Sequence, residues 1–247
     1  MKEIINEIKK KKEFSKLPDS IVERAAKLSG GDVKEARALL RKYFGVFLTN
    51  KVLKGKFFPE DILKSHISSK NRDYKIFYEE IFEEINDVGS IIDLGCGVNG
   101  FSYNLLKDIT GEIEYFGIEA SGQLVDNMNY YFKKSGVGIC CKAINLDIFE
   151  IDKVINILKK AKKPRIVFMF QLIDALENFE KDFSKKFLLG ISKECEMIVL
   201  TLPLFSLGGR KRFVVQRKWL TDFLKDNFKI EKDFKIGNER VIILKSP

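Results

Sequence analysis

The sequence is poor in the residues that build metal centres and disulfide frameworks. Its 247 residues include four cysteines (Cys96, Cys140, Cys141 and Cys195) and one histidine, His66. No two cysteines form a CxxC pair, and a lone histidine cannot complete a zinc set with them. No metal is therefore expected, and the thiols read as free side chains in a reducing compartment. No apolar run approaches the roughly 18 residues that mark a membrane-spanning helix. The opening stretch MKEIINEIKKKKEF has no apolar core followed by small residues, so it does not read as a secretory signal. Internal repeats and low-complexity linkers are also missing, which excludes solenoids and extended disorder. The expectation is a soluble, cytoplasmic monomer without a membrane partner.

What is present divides into two parts. Hydrophobic residues make up 45% of the chain, enough for one α/β domain and a small accessory unit. Residues 1–60 contain no convincing strand, and three helices are predicted over 2–13, 19–28 and 32–44. Pro18-Asp19-Ser20 supplies a start signal and Gly30-Gly31 a stop. Residues 61–247 alternate short apolar runs with longer amphipathic segments. Strands are predicted over 90–94, 113–119, 138–144, 165–170, 197–202, 228–234 and 240–244. Helices between the first six imply a mostly parallel sheet, and the last two strands, separated by residues 235–239, should form an antiparallel hairpin. A seven-stranded α/β sheet ending in a hairpin is the Rossmann-like arrangement of class I methyltransferases.

Charge is uneven as well. The net charge of +9 favours a polyanionic partner through Coulomb attraction and counterion release. Much of the excess lies in the N-terminal region, including Lys11, Lys12, Lys16, Arg24, Arg37 and Arg41. A second basic group surrounds Arg210, Lys211 and Arg212.

The sharpest local pattern is Asp93-Leu94-Gly95-Cys96-Gly97, where an apolar strand runs into a glycine turn and then a helix. Glycine is needed where the backbone turns sharply and a ligand approaches with no Cβ in the way. The D-L-G-C-G form is closer to an S-adenosylmethionine loop than to the G-x-G-x-x-G dinucleotide pattern, so Asp93, Gly95 and Gly97 are assigned to that cofactor. Glu119 ends the second strand about 20 residues on, where an acid can accept hydrogen bonds from both ribose hydroxyls. Asp147 follows the third strand, where an acid can meet the adenine amino group, with Ile148 as the apolar neighbour of the ring; a helix cap is the other reading of Asp147. Gln171 ends the fourth strand, at the edge where open α/β sheets bind ligands.

Further segments, taken together, resemble the aminoglycoside-resistance 16S rRNA methyltransferases that modify guanine N7 in the decoding A-site. Ser206-Leu207-Gly208-Gly209-Arg210 is similar to that family's S-L-G-G-R loop, and Gly237-Asn238-Glu239 to its G-N-E. The stretch from His66 to Arg72 is similar to its H-x-S-T-x-E-R segment, with Asn71 in place of the acid. Gln171 stands where the family usually has lysine. The resemblance implies that residues 1–60 form a helical rRNA-binding domain and 61–247 the methyltransferase domain, with the small ribosomal subunit as partner. It also implies that Arg72 binds the cofactor carboxylate and that Ser206, Arg210 and their neighbours face the target nucleotide.

The implied chemistry suits the residues. Guanine N7 carries a lone pair and no proton, so methylation there needs no general base, and no N-P-P-Y motif for amino-group methylation follows the fourth strand. The enzyme's task is alignment. The methylated base is cationic, which makes Glu239 a candidate stabilising acid. Two alternatives stay open: a methyltransferase of another RNA base, such as A-site adenine N1 or a tRNA base, and a non-catalytic RNA-binding assembly factor.

Overall fold

The computed structural model describes residues 1–44, 59–65, 70–83, 85–205 and 217–246. The chain opens with three helices, α1 (Lys2–Lys9), α2 (Asp19–Leu28) and α3 (Val33–Tyr43). Two further helices, α4 (Pro59–Ser65) and α5 (Tyr74–Phe82), lead to the sheet. Then follow β1 (Ser90–Leu94), α6 (Tyr103–Thr110), β2 (Glu114–Glu119), α7 (Gly122–Lys134), β3 (Cys141–Asn145), α8 (Ile151–Lys160) and β4 (Arg165–Phe170). The chain continues through α9 (Ile173–Phe179), α10 (Phe183–Ile191), β5 (Met197–Pro203), α11 (Lys218–Asn227), β6 (Lys229–Ile236) and β7 (Glu239–Lys245).

The seven strands form one sheet in the order β3-β2-β1-β4-β5-β7-β6. The first five are parallel, and β7 lies antiparallel between β5 and β6, so the sheet is mixed at one side. Burial explains the sequence pattern. The inner strands β1, β4 and β5 are covered on both faces and read as mainly apolar runs, broken within β1 by Asp93 and within β5 by Thr201, whereas the edge strand β6 alternates exposed and half-buried residues. Successive side chains point to opposite faces. In β4, Ile166 and Phe168 enter the core beneath α5, α6 and α7, while Val167 and Met169 enter the core beneath α8, α10 and α11. The chain builds outward from β1 to β3 and then returns to β4 on the other side of β1. The crevice between the carboxyl ends of β1 and β4 is therefore the topological switch point, where such sheets bind ligands.

The three N-terminal helices make a third core, around Ile8, Phe14, Val22, Ala25, Ala36 and Leu40, that also takes in Ala120 and Phe179 from the sheet domain. Asp32 starts α3 by accepting a hydrogen bond from the Glu35 amide at 2.8 Å. Gly30 and Gly31 end α2 at left-handed φ values of 58° and 88°. The helix α4 packs Ile62 and Leu63 into the sheet core rather than into the N-terminal one.

Most element boundaries fall within a residue of expectation, and three differ by more. The first helix stops at Lys9 instead of 13, because Phe14 must turn into the core and Lys9 Nζ donates to Leu17 O at 2.9 Å, closing the reversal. The third strand starts at Cys141 instead of 138, since Val137 O accepts from the Cys140 and Cys141 amides and holds the preceding residues in a turn. The final hairpin is tighter than drawn. Ile236 pairs with Glu239, leaving a two-residue turn that Gly237 opens at φ 53°.

Candidate cofactor and active site

The loop after β1 turns through Gly95 (φ 64°) and Gly97 (φ 52°), a region that disfavours any residue with a Cβ. A Cβ on Gly95 would also lie 2.9 Å from Leu172 Cδ1 and 3.6 Å from Ile148 Cδ1, which places Ile148 and Leu172 beside the loop. The Gly97 amide donates to Glu119 Oε2 at 3.0 Å, and the Ser121 amide to Oε1 at 2.8 Å. Both carboxylate oxygens of Glu119 are thus aimed by backbone, each with a further lone pair free of these two bonds. Burial pushes the Glu119 carboxyl above its ordinary range, against the pull of the backbone amides of Ser121 and Gly97.

Asp93 lies at the base of the same loop. Its Oδ2 accepts from Asn99 Nδ2 at 2.6 Å and from the Tyr115 hydroxyl at 2.7 Å, while Oδ1 is buried with no partner. Burial raises its pKa to about 6; the hydrogen bonds from Asn99 and Tyr115 oppose the shift. Asn99 extends the network, since its Oδ1 accepts from the Tyr78 hydroxyl at 3.1 Å and lies 3.5 Å from Arg72 Nη1.

Arg72 reaches the site from the segment ahead of α5. Its Nε and Nη2 grip the Glu239 carboxylate at 2.9 and 2.8 Å, and its guanidinium lies 4.4 Å from the Phe77 ring centroid and 5.1 Å from that of Phe170. Glu239 Oε2 also accepts from the Thr201 hydroxyl at 2.7 Å. The Thr201 hydroxyl and carbonyl in turn accept from the Gln171 amide at 3.1 and 3.0 Å. Gln171 holds a left-handed φ of 53°, unusual for a residue other than glycine, at the carboxyl end of β4.

Asp147 stands at the third strand end. Its Oδ1 accepts from the Phe149 amide at 2.9 Å, and Oδ2 is buried without a partner. Its side chain therefore turns the local loop; Glu150, not Asp147, precedes α8 as its cap residue. Burial raises the Asp147 carboxyl, while the Ser20 hydroxyl, the Phe149 amide and the Arg24 guanidinium work the other way.

The structure thus brings Asp93, Gly95, Gly97, Glu119, Asp147, Ile148, Gln171, Arg72 and Glu239 to the carboxyl edge of the sheet. Asn99, Tyr115 and Thr201 join them unannounced. A polar residue inside an apolar run marks Thr201 in the sequence, and Asn99 lies within the glycine segment itself. The buried Asp93 and Asp147 oxygens without partners, and the glycine cradle bounded by Ile148 and Leu172, fit the polar and apolar parts of an adenosyl amino-acid cofactor.

Of the basic residues singled out, Lys11 and Lys12 are exposed. Lys16 pairs with Asp126, Arg24 with Glu180, Arg37 with Glu7, and Arg41 with Glu13. Ser206, Arg210, Lys211 and Arg212 lie outside the described residues, as do residues 66–69 of the segment ahead of Arg72. Among the described residues no group of three or more His, Cys, Asp or Glu side chains is arranged to hold a metal ion, and no helix is long and apolar enough to cross a membrane.

A sheet of this strand order, with a glycine loop after β1, an acid ending β2 and another two residues beyond β3, defines the class I methyltransferase fold. No protein-family model matches the chain. In sequence it is 23% identical over 189 residues to the 16S rRNA (guanine(1405)-N(7))-methyltransferase of Proteus mirabilis. That match covers 74% of this chain and 63% of the relative, so under two thirds of that enzyme's length is represented. In structure the chain resembles an rRNA methylase from Escherichia coli, with a TM-score of 0.78 at 18% identity over 100% of this chain and 99% of that one. It also resembles the 16S rRNA methyltransferase RmtF, solved in complex with S-adenosyl-L-homocysteine, with a TM-score of 0.77 at 19% identity over 100% and 98% of the two chains. Both neighbours are named as rRNA-methylating proteins, and at these identities the likeness is one of fold.

Proposed function

We propose that this chain is an S-adenosylmethionine-dependent methyltransferase of 16S rRNA that methylates N7 of a guanine in the decoding A-site, working as a cytoplasmic monomer on the small ribosomal subunit. The observation that carries the reading is the continuous polar network through Asp93, Asn99, Arg72, Glu239 and Thr201. It joins the glycine loop, the arginine of the H-x-S-T-x-E-R-like segment and the acid of the G-N-E-like turn, which lie up to 167 residues apart in sequence.

When bound, the cofactor supplies an electrophilic methyl group. Glu119 accepts from the ribose hydroxyls, Asp147 accepts from the adenine amino group, and Ile148 and Leu172 flank the base. The guanidinium of Arg72 is fixed by Glu239 through Nε and Nη2, which leaves Nη1 the better placed of its nitrogens to donate to the cofactor carboxylate. Asp93, with an unused oxygen, faces the ammonium. This arrangement revises the role of Glu239. Its carboxylate is committed to Arg72 and Thr201 and is 5% exposed, so it serves to position Arg72 rather than to meet the product base. Because N7 has no proton to lose, the remaining work is alignment. That falls to Arg210 with Ser206, Lys211 and Arg212 in the basic loop. Lys11, Lys12, Lys16, Arg24, Arg37 and Arg41 give the N-terminal unit of residues 1–60 its positive character as the rRNA dock.

Calorimetry with S-adenosylmethionine, followed by assay of methyl transfer to isolated 30S subunits, tests the reading. Binding and transfer are expected. Binding without transfer to any RNA would favour an assembly factor, and transfer only to tRNA would favour a tRNA enzyme.

A further inference from the structure

The N-terminal helices close directly on the two strand ends that carry Glu119 and Asp147. Just past Glu119, the Gly122 amide donates to Lys16 O at 3.2 Å. A Cβ on Gly122 would lie 2.7 Å from Lys16 Cβ and 2.8 Å from Lys16 O, so this backbone approach requires glycine. Gln123 Nε2 donates to Lys12 O at 2.9 Å, and Lys16 pairs with Asp126. Just past Asp147, Phe149 packs its ring beneath Arg24 of α2, whose guanidinium lies 4.1 Å from the ring centroid. Arg24 Nη1 donates to Glu180 Oε2 at 2.7 Å. Ala120 and Phe179 share the N-terminal core with Val22 and Ala25, and Phe149 packs against it.

Two polar atoms at this junction have no partner although both are buried: the acceptor Asp147 Oδ2 and the donor Arg24 Nε. A buried acceptor and a buried donor left open on either side of one seam are costly unless something completes them. Asp147 is held by its own loop through the Phe149 amide, and the ring of that same Phe149 lies against Arg24 of α2, the helix whose first two turns also carry Ser20.

We propose that α2 completes the cofactor site, with Arg24 and Ser20 as positioning residues that set the Asp147 carboxylate for the adenine amino group. Recognition of adenosine then depends on how the N-terminal unit is docked, and by reciprocity a perturbation of that unit changes cofactor affinity. This rests on the cofactor reading above. It also means that the unit presented to RNA and the unit holding the adenine acid are one piece of structure.

The test uses calorimetry of the full chain with S-adenosylhomocysteine and with its inosine counterpart, in which a carbonyl replaces the amino group that Asp147 accepts. Wild type should prefer the adenosine compound. Arg24→Ala should bind it about tenfold more weakly and lose much of the preference, Arg24→Lys should recover part of both, and Ser20→Ala should show a smaller change in the same direction. Circular dichroism checks that each variant is folded; if Arg24→Ala is not, Ser20→Ala and Arg24→Lys carry the comparison. Folded variants with unchanged affinity and unchanged preference overturn the proposal. So does an equal loss for both compounds, which is what simple loosening of the fold would give. Wild type that binds neither compound overturns the cofactor reading itself, a result distinct from the other two.

Discussion

Arg72 and Glu239, 167 residues apart, meet as a bidentate ion pair in which both side chains are almost wholly buried. The pair joins the segment before the sheet to its last hairpin, directly beside the glycine loop. Removing one member of a buried pair leaves the other charge uncompensated, at a cost of about 3–5 kcal/mol. Glu239→Gln and Arg72→Ala should each lower stability by that order in urea titrations. Replacing both by methionine should recover most of the loss while cofactor binding stays abolished. Single variants as stable as wild type would remove the pair from the account.

The ionisation of Asp93 gives a pH test. Its folded pKa, about 6, stands above its ordinary value of 3.8 because burial disfavours the charge. A raised carboxyl pKa contributes stability below about pH 4 that is lost as pH rises through about 6, and two pH units correspond to about 3 kcal/mol. Asp93→Asn keeps an oxygen for Asn99 and Tyr115 and cannot ionise. Relative to wild type, the variant should gain about 3 kcal/mol between pH 4 and 7. A constant difference between the two proteins across that range would contradict the assignment. If Asp93 faces the cofactor ammonium, wild-type affinity for S-adenosylmethionine should also rise with pH through about 6.

Glu119→Ala removes an acceptor aimed by two backbone amides. Charge-assisted hydrogen bonds are worth about 1.5–3 kcal/mol. Cofactor affinity measured by calorimetry should therefore fall by roughly one to two orders of magnitude. Unchanged affinity in a folded variant would sink the ribose assignment.

Much of this site is legible in the sequence, for a physical reason. Gly95, Gly97, Glu119 and Asp147 sit at strand ends, and strand ends are set by a short-range pattern of apolar runs and glycine turns. The partners of those residues are less legible. Nothing local in the sequence pairs Arg72 with Glu239, because the contact is made only when the last hairpin folds back beside β5. Thr201 looks like an ordinary interruption of an apolar strand until its hydroxyl is seen to link Gln171 to Glu239. The basic residues of the N-terminal helices read as one solvent-facing group, yet Arg24 turns inward to Phe149 and Glu180. The sequence shows the charge of a side chain; packing decides which way it points.

The basic surfaces should separate by salt dependence. Lys11 and Lys12 are exposed, so replacing each by alanine should weaken 30S binding and reduce the slope of log affinity against log salt by about one. Arg210, if it grips the target nucleotide, should behave differently. Arg210→Ala and Arg210→Lys should both slow single-turnover methylation at saturating 30S, with cofactor affinity unchanged. A wild-type rate for Arg210→Ala under those conditions would take Arg210 out of the active site.

Methylation of guanine N7 in the decoding A-site is read out by the position of the transferred methyl group. Small subunits treated with the protein and isotopically labelled S-adenosylmethionine can be digested and mapped by mass spectrometry. One labelled nucleotide is expected, a 7-methylguanine in the decoding A-site. A label on adenine N1, on an exocyclic amino group or outside the decoding site, or no label at all from protein that binds the cofactor, would contradict it.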